Sequence, residues 1–332
     1  MPDLPAIYLR LPNWVGDACM SLPALEIVLN TGVPVVVCAR PWAKDLLAGY
    51  PLSAFVPLSG GWRQDRARIR HHHRSHGHAG ARGILLPDSL SSALAFRLAG
   101  IASAGHRDDG RSLLLRWPIA KSAEPLHAVQ AWHRLAGLAL QGWQYRVHPA
   151  GVPETLGLRL TDDARAACDR VMTHAGITPG RFMLIAPTAV GRHHGRDKVW
   201  PEFDALVRDM QADGHTVVMC PPPAEQLQAR RNAPTALCLP PLGLTAFATL
   251  AANAALVVCN DSGVSHLAAA AGARQITLFG VTDRRRTGPW SPLAHCLGSA
   301  QAWPSRDEVR QAIRDILGQD GTHVTAWNYP DT

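Results

Sequence analysis

Residues 254–272 read AALVVCNDSGVSHLAAAAG. The segment 254–259 is a short apolar run with two adjacent valines, the pattern of a strand buried on both faces. Asn260, Asp261 and Ser262 then turn the chain, and the small residues of 263–272 suit a helix. A strand that passes directly into a helix is half of a βαβ unit. The first turn of such a helix has unpaired N–H groups and the positive end of the helix dipole. Anions are held at such places, phosphate above all, and Gly263 lets ligand oxygens come close to the backbone. Asp261 or Ser262 has a second reading as the helix N-cap, and the local sequence leaves both open.

The same alternation runs outward from this stretch. In the first half strands are expected at 6–11, 34–38, 54–58 and 83–87, with a weak one near 112–117. Helices are expected at 18–30, 41–48, 90–99 and 127–140. In the second half the strands are 182–186, 215–220, 236–239, 254–259 and 275–279. The helices there are 162–175, 201–213, 223–231, 245–252, 263–271 and 305–317. An irregular stretch with Pro and Gly near 148–156 separates the two series. The reading is α/β: two Rossmann-like domains, 1–152 and 153–318, whose parallel sheets face one another across a cleft, then a tail, 319–332. Residues 320–332 are expected to be poorly ordered. Ligands of open parallel sheets sit beyond the carboxyl ends of the strands, here in the inter-domain cleft.

Two more strand-to-helix turns carry chemistry. After 182–186, Thr188 stands at the mouth of a loop with Arg192, His193, His194, Arg196 and Lys198, before Trp200-Pro201. That cationic crowd suits a diphosphate; a solvated basic loop is the alternative. Near the N-terminus, 9–18 reads LRLPNWVGDA, with a helix expected from about Ala18. Asp17 either caps that helix or faces a substrate.

Composition bounds the partners. The chain has 332 residues, 47% of them apolar, enough for two cores. A net charge of +7 points to an acidic partner: nucleic acid, a phosphorylated sugar or an anionic lipid surface. With 18% charged residues the chain is no nucleic-acid-coating tail, and it lacks the aromatic-basic interleaving of RNA binders. Seven cysteines, an odd number without a CxxC pair, read as buried thiols of a reducing cytoplasm. No signal-peptide pattern and no apolar run of about 18 residues is present. The expectation is a soluble cytoplasmic protein that meets a membrane only at its surface.

Four stretches together resemble family 9 glycosyltransferases, the bacterial ADP-heptose:lipopolysaccharide heptosyltransferases. They are RLPNWVGDACMSLPAL at 10–25, LLPDSLSSALAFRLAGI at 85–101, DKVWP at 197–201, and NDSGVSHLAAAAGARQITLFGVTDRRRTGPW at 260–290. Within the family, 85–117 is most similar to the enzymes that add the second inner-core heptose. The resemblance implies a GT-B fold, ADP-L-glycero-D-manno-heptose as donor, and a Kdo–lipid A type acceptor at the inner leaflet of the inner membrane. It implies inversion at the anomeric carbon, no cofactor and no metal. It further implies that Thr188 and Lys198 meet the pyrophosphate, that Asp261 touches the donor heptose, and that Ser262, Gly263 and His266 line the donor site. Asp17 is the implied general base. Gly16, Ser89, Ser91 and Arg63 are expected on the acceptor side. Ser91 replaces the basic residue the family often has before Ser-Ala-Leu, which bears on acceptor identity.

The segment 59–82 departs from the family and includes HHHRSHGH at 71–78. It lacks the ligand spacing and the acidic or thiolate partner of a metal site. A basic face for acceptor phosphates or anionic lipid, and a plain solvated loop, both remain open.

The chemistry can be argued from the residues as well. Breaking a sugar–diphosphate bond builds negative charge on the leaving nucleotide, which helix-terminal amides, Lys198 and Thr188 would offset. An acceptor hydroxyl needs a carboxylate within reach to take its proton, and Asp17 stands on the wall opposite the pyrophosphate, with Gly16 leaving room for the incoming sugar. Competing readings are a transferase of the same fold acting on a protein, a nucleotide-sugar epimerase, and a non-catalytic nucleotide-sugar or nucleic-acid-binding module.

Overall fold

A computed structural model describes residues 5–76, 80–108, 110–146, 151–190, 192–193 and 195–318. His78, His194 and the tail 319–332 lie outside the described residues, as does part of the stretch near 148–156. The strands are β1 (Ile7–Arg10), β2 (Val35–Ala39), β3 (Ala54–Pro57), β4 (Arg82–Leu85), β5 (Ala102–His106), β6 (Trp117–Ile119), β7 (Phe182–Ala186), β8 (Arg192–His193), β9 (Arg196–Asp197), β10 (Thr216–Met219), β11 (Leu237–Cys238), β12 (Leu256–Asn260), β13 (Gln275–Phe279) and β14 (Ala294–Gly298). The helices are α1 (Val15–Met20), α2 (Leu22–Leu29), α3 (Ala43–Leu46), α4 (Trp62–Ser75), α5 (Leu90–Ala99), α6 (Ala128–Gly142), α7 (Asp162–Ala175), α8 (Phe203–Ala212), α9 (Gln226–Asn232), α10 (Leu244–Asn253), α11 (Gly263–Ala270), α12 (Arg284–Thr287) and α13 (Arg306–Gly318).

Two six-stranded sheets result, ordered β3-β2-β1-β4-β5-β6 and β11-β10-β7-β12-β13-β14, every pairing parallel. Each sheet reverses its winding at one place, between β1 and β4 in the first and between β7 and β12 in the second. These are the topological switch points, where open α/β sheets receive ligands.

Strand periodicity sorts the core into layers. Tyr8 and Phe96 pack on the outer face of the first sheet with Ile69 of α4. Met183, Ile185 and Ile276 pack on the outer face of the second with helices α8 and α13. The inner faces merge: Ile7, Leu9 and Val37 of the first sheet share one apolar cluster with Leu184, Val257 and the Ala268–Ala269 pair of the second. Helix α1, which follows β1, packs against α11, which follows β12. The carboxyl ends of the two sheets therefore face each other.

That junction is close because it is made of small residues. A Cβ on Gly16 would lie 2.4 Å from Cδ2 of His266, and one on Gly263 would lie 3.3 Å from Cβ of Val15. The room beside Gly16 is thus filled by the His266 ring, which corrects the expectation that an incoming sugar occupies it. Further ties cross the interface. The Asp45 carboxylate accepts the Leu244 amide at the start of α10, and Arg159 grips Glu26 with two bonds of 3.0 Å.

Other differences have local causes. The helix expected at 18–30 is two helices that begin earlier, at Val15. Ser21 hydroxyl donates back to the Ala18 carbonyl at 2.8 Å, and Pro23 has no N–H to continue the ladder. Strand β5, ASAGH, was not expected because Ala, Ser and Gly have little strand preference; pairing with β4 and β6 imposes the conformation. The weak strand near 112–117 is a 3-10 turn at Arg111–Leu113 followed by β6. Strand β14, the β8–β9 hairpin and α12 had no periodic signal. The His-rich segment is no plain loop: 71–75 are the last turn and a half of α4. His72 bonds Tyr8 hydroxyl through Nδ1 at 2.9 Å and stacks on His76 at 4.1 Å, while Arg63, Arg68, His71 and Arg74 are exposed or half-exposed.

Substituting Gly16→Ala is expected to cost about 1–3 kcal/mol, the usual penalty for forcing atoms into a packed junction. Urea unfolding should show a lower midpoint. An unchanged midpoint would mean that the His266 ring is not lodged there.

Candidate active site

At the second switch point Asn260, the last residue of β12, is fully buried. Its Oδ1 accepts the Trp200 amide at 2.9 Å, and its Nδ2 donates to the carbonyls of Ala186 and Thr188 at 3.3 Å. One side chain thereby pins both ends of the 187–200 loop over the strand ends. Sequence motifs alone give Asn260 no role. Its signal is an amide ending an otherwise apolar strand, where a buried amide must find partners.

The next residues divide their tasks. Ser262 is the N-cap of α11, its Oγ accepting the Val264 amide at 3.3 Å. Asp261 is therefore released from capping. Its Oδ2 accepts from the Thr282 hydroxyl at 2.6 Å and lies 3.6 Å from Lys198 Nζ. Thr188 is buried and donates to the carboxylate of Glu225, in a 3-10 turn after β10. Glu225 also escapes sequence reasoning, since it sits in a Pro-rich turn without periodicity. His266, one turn into α11, is buried, and its Nδ1 has no hydrogen-bond partner among the described residues. Burial lowers its pKa to about 4; His127 and Lys198 add to the fall, against the pull of Asp261. The ring is neutral at pH 7.

Across the junction stands α1. Its N-cap residue is Trp14, whose side chain makes no cap, and Asp17 is the third helical residue. Asp17 is therefore not an N-cap, and among the described residues no hydrogen bond engages its carboxylate. Burial raises its pKa. An acid at this position still gains from the helix dipole, but both oxygens keep lone pairs for an incoming proton.

Beside these walls, a cleft of about 750 Å³ opens between the sheets, lined by Asp88, Lys121, Trp132 and Arg134 on one side and by Thr282, Asp283 and Arg286 on the other. Asp88 organises its first-sheet wall. His106 and Arg111 meet Oδ1 at 3.2 and 3.3 Å, and Lys121 meets Oδ2 at 2.9 Å. Burial alone would raise the Asp88 pKa, but hydrogen bonds from His106 and Lys121 hold it at about 2.

The family description Glycosyltransferase family 9 (heptosyltransferase) matches residues 69–316, well over half of the chain. The chain belongs to glycosyltransferase family 9. The lipooligosaccharide heptosyltransferase 2 of Haemophilus influenzae is 28% identical over 311 residues, covering 85% of each chain. Among solved structures, the E. coli ADP-heptose LPS heptosyltransferase II superposes with a TM-score of 0.73 at 22% identity, covering 96% of this chain and 100% of that one. A family 9 glycosyltransferase from Veillonella parvula superposes with a TM-score of 0.78 at 14% identity, covering 96% and 98%. These likenesses show the GT-B fold.

In this family 9 glycosyltransferase, Thr188, Lys198, Asp261, Ser262, Gly263 and His266 come together at the second switch point, and Asp17 belongs to α1, the helix that packs on α11. The expected acceptor residues separate. Gly16 is covered by His266. Ser89 caps α5, accepting the Ser92 amide, and shares a small pocket with Ser91 at the first switch point. Arg63 is exposed and stacked over the Trp62 ring at 4.8 Å, outside that pocket lining.

A raised carboxyl pKa destabilises the fold at neutral pH. The native state keeps its proton to higher pH than the unfolded chain, so stability from this group falls as pH rises through the folded pKa. Asp17→Asn should therefore leave the melting temperature at pH 7 unchanged or higher. The difference should vanish below the unfolded value of about 3.9. A lower melting temperature at pH 7 would show that Asp17 supports the helix instead.

Proposed function

We propose that this enzyme transfers L-glycero-D-manno-heptose from ADP-heptose to the inner core of lipopolysaccharide, a Kdo/heptose–lipid A acceptor, with inversion and without metal. The observation that carries the reading is the carboxylate of Asp17, half-buried and, among the described residues, without a hydrogen bond, on the helix that packs against α11, whose first turn stands beside Asp261 and Lys198. The relatives in Haemophilus influenzae and E. coli are heptosyltransferases, and the E. coli protein is by name an ADP-heptose enzyme.

The acceptor hydroxyl oxygen attacks the anomeric carbon as the bond from that carbon to the diphosphate oxygen breaks. The electron pair leaves on ADP, and the acceptor proton goes to Asp17. Lys198 and the first-turn amides of α11 offset the charge gathering on the diphosphate. Asp261, held by Thr282 and Lys198, is placed to accept hydroxyl hydrogens of the donor sugar. Glu225 follows the second strand of its Rossmann-like unit, where an acid takes ribose hydroxyls. Thr188 would position that acid or turn to the diphosphate. Neutral His266 adds no charge and keeps the two walls in contact. The enzyme acts in the cytoplasm at the inner leaflet, with the exposed basic side of α4 toward anionic lipid or acceptor phosphates. No helix among the described residues is long and apolar enough to cross a membrane.

Mass spectrometry of the Kdo–lipid A acceptor after incubation with ADP-heptose, with NMR of the nucleotide-sugar, tests the reaction. A mass gain of one heptose on the acceptor supports it, and an acceptor of unchanged mass beside an epimerised nucleotide-sugar in the NMR spectrum overturns it. Asp17→Asn should lower turnover by roughly 10²–10⁴, the contribution of a positioned base, with donor affinity unchanged. In the wild type the acid limb of the pH–rate profile should lie above the ordinary Asp range, because only the ionised form accepts a proton. Near-normal turnover in the Asn variant ends the role of Asp17. Lys198→Ala should weaken ADP-heptose binding by roughly 10- to 150-fold, the loss of one charge-assisted hydrogen bond. Calorimetry with an unchanged affinity would remove Lys198 from the donor site.

A further inference from the structure

The first sheet has a switch point of its own, and a buried charge stands at it. Arg10 ends β1 and is only 3% exposed. Its guanidinium donates to the Leu11 carbonyl and to Asn13 Oδ1 at 2.6 Å, both uncharged. Among the described residues no carboxylate is in ion-pair contact with it. Asp65, an acid in the same pocket lining, is already engaged. Its Oδ1 accepts from the Ser59 amide at 2.7 Å and the Ser59 hydroxyl at 2.9 Å, and its Oδ2 accepts from the Gly60 amide at 3.2 Å. Burial disfavours the Arg10 charge and Arg40, just past the end of β2, adds to that, while Asp65 supports the charge from a distance without an ion-pair contact. Arginine stays protonated, and a buried charge with no counter-charge in contact is costly.

Arg10 borders a pocket of about 70 Å³, shared with Asn13, Trp62, Ser89, Ser91 and Ser92. One water needs about 10–15 Å³ on this scale. The pocket has room for a carboxylate or phosphate head, and its hydroxyls and amide are suited to solvate one.

We propose that this pocket is an anion subsite of the acceptor wall, in which Arg10 holds a carboxylate or phosphate borne by the acceptor sugar. The inference rests on the reading of the N-terminal sheet as the acceptor side. It assigns to Arg10, which the sequence motifs left without a role, the counterpart of Lys198: one cation at each switch point, one for the leaving group and one for the acceptor. It also limits acceptors to sugars with an acidic group near the reacting hydroxyl.

The test uses the full chain carrying Lys198→Ala, so that anions held at the donor site do not count. Inorganic phosphate and acetate are titrated separately by calorimetry at low salt. At least one anion should bind, and Arg10→Met or Ser91→Glu should each weaken it about tenfold or more, the scale of one charge-assisted hydrogen bond. Acetate as the tighter ligand assigns the pocket to a sugar acid, and phosphate assigns it to a phosphorylated sugar. Ser91 is exposed in the first turn of α5, where an acid favours the helix; that variant decides if Arg10→Met does not fold. Absence of binding by both anions, or equal binding in all three chains, overturns the proposal. The measurement needs neither donor nor transfer. Loss of transfer with anion binding intact would count against the proposed reaction alone.

Discussion

Everything at the centre of this enzyme depends on two helix starts meeting nose to nose. Glycine at 16 and at 263 lets α1 and α11 approach until the His266 ring lies on the Gly16 backbone. Each helix follows the strand beside a switch point, so this contact sets the distance between the two ligand-receiving edges. A side chain at Gly16 would collide with the His266 ring, and one at Gly263 would crowd Val15. The apolar cluster that runs from Ile7 and Leu9 to Leu184 and Val257 fixes the orientation of that contact.

The polar groups around the junction are assigned by what holds them. Ser262 takes the capping duty of α11, and Asn260 takes the backbone of the 187–200 loop. Asp261 is thereby left to Lys198 and Thr282, and Asp17 is left with no partner among the described residues. An unengaged, half-buried carboxylate is a cost to stability that a fold alone would remove, and such costs collect at functional sites. His266 is the complementary case. Burial keeps it neutral, so it brings no titrating charge to the interface near pH 7.

The first sheet shows the same economy of charge. Asp88 gathers His106, Arg111 and Lys121 into one satisfied group along the 750 Å³ cleft. Arg10, a few residues from Asp17 in sequence, is satisfied by neutral oxygens alone. Within this one sheet the two groups differ: Asp88 is in contact with its cations, whereas Arg10 has no carboxylate in contact among the described residues.

Much of this was written into the chain. Buried valine-rich runs at 35–38 and 256–259, and the apolar run at 182–186, specified two parallel sheets, because a strand buried on both faces needs no partner information beyond its own apolarity. The motifs at 10–25, 197–201 and 260–290 specified the family and the residues that meet at the second switch point. What the sequence could not carry was anything decided by neighbours. Strand β5 is made largely of Ala, Ser and Gly and exists because β4 and β6 flank it. Helix α4 was hidden because its buried side is little more than Asp65 and Ile69, too narrow a stripe to show a period. Asn260 and Glu225 gain their roles from contacts 37 to 74 residues away, and Arg10 gains its role from a pocket walled by several elements. Gly16 in the sequence suggests room for a sugar, since a glycine reports only that something comes close. That the something is the ring of His266, far along the chain, was decided by the packing of one sheet's helix on the other's.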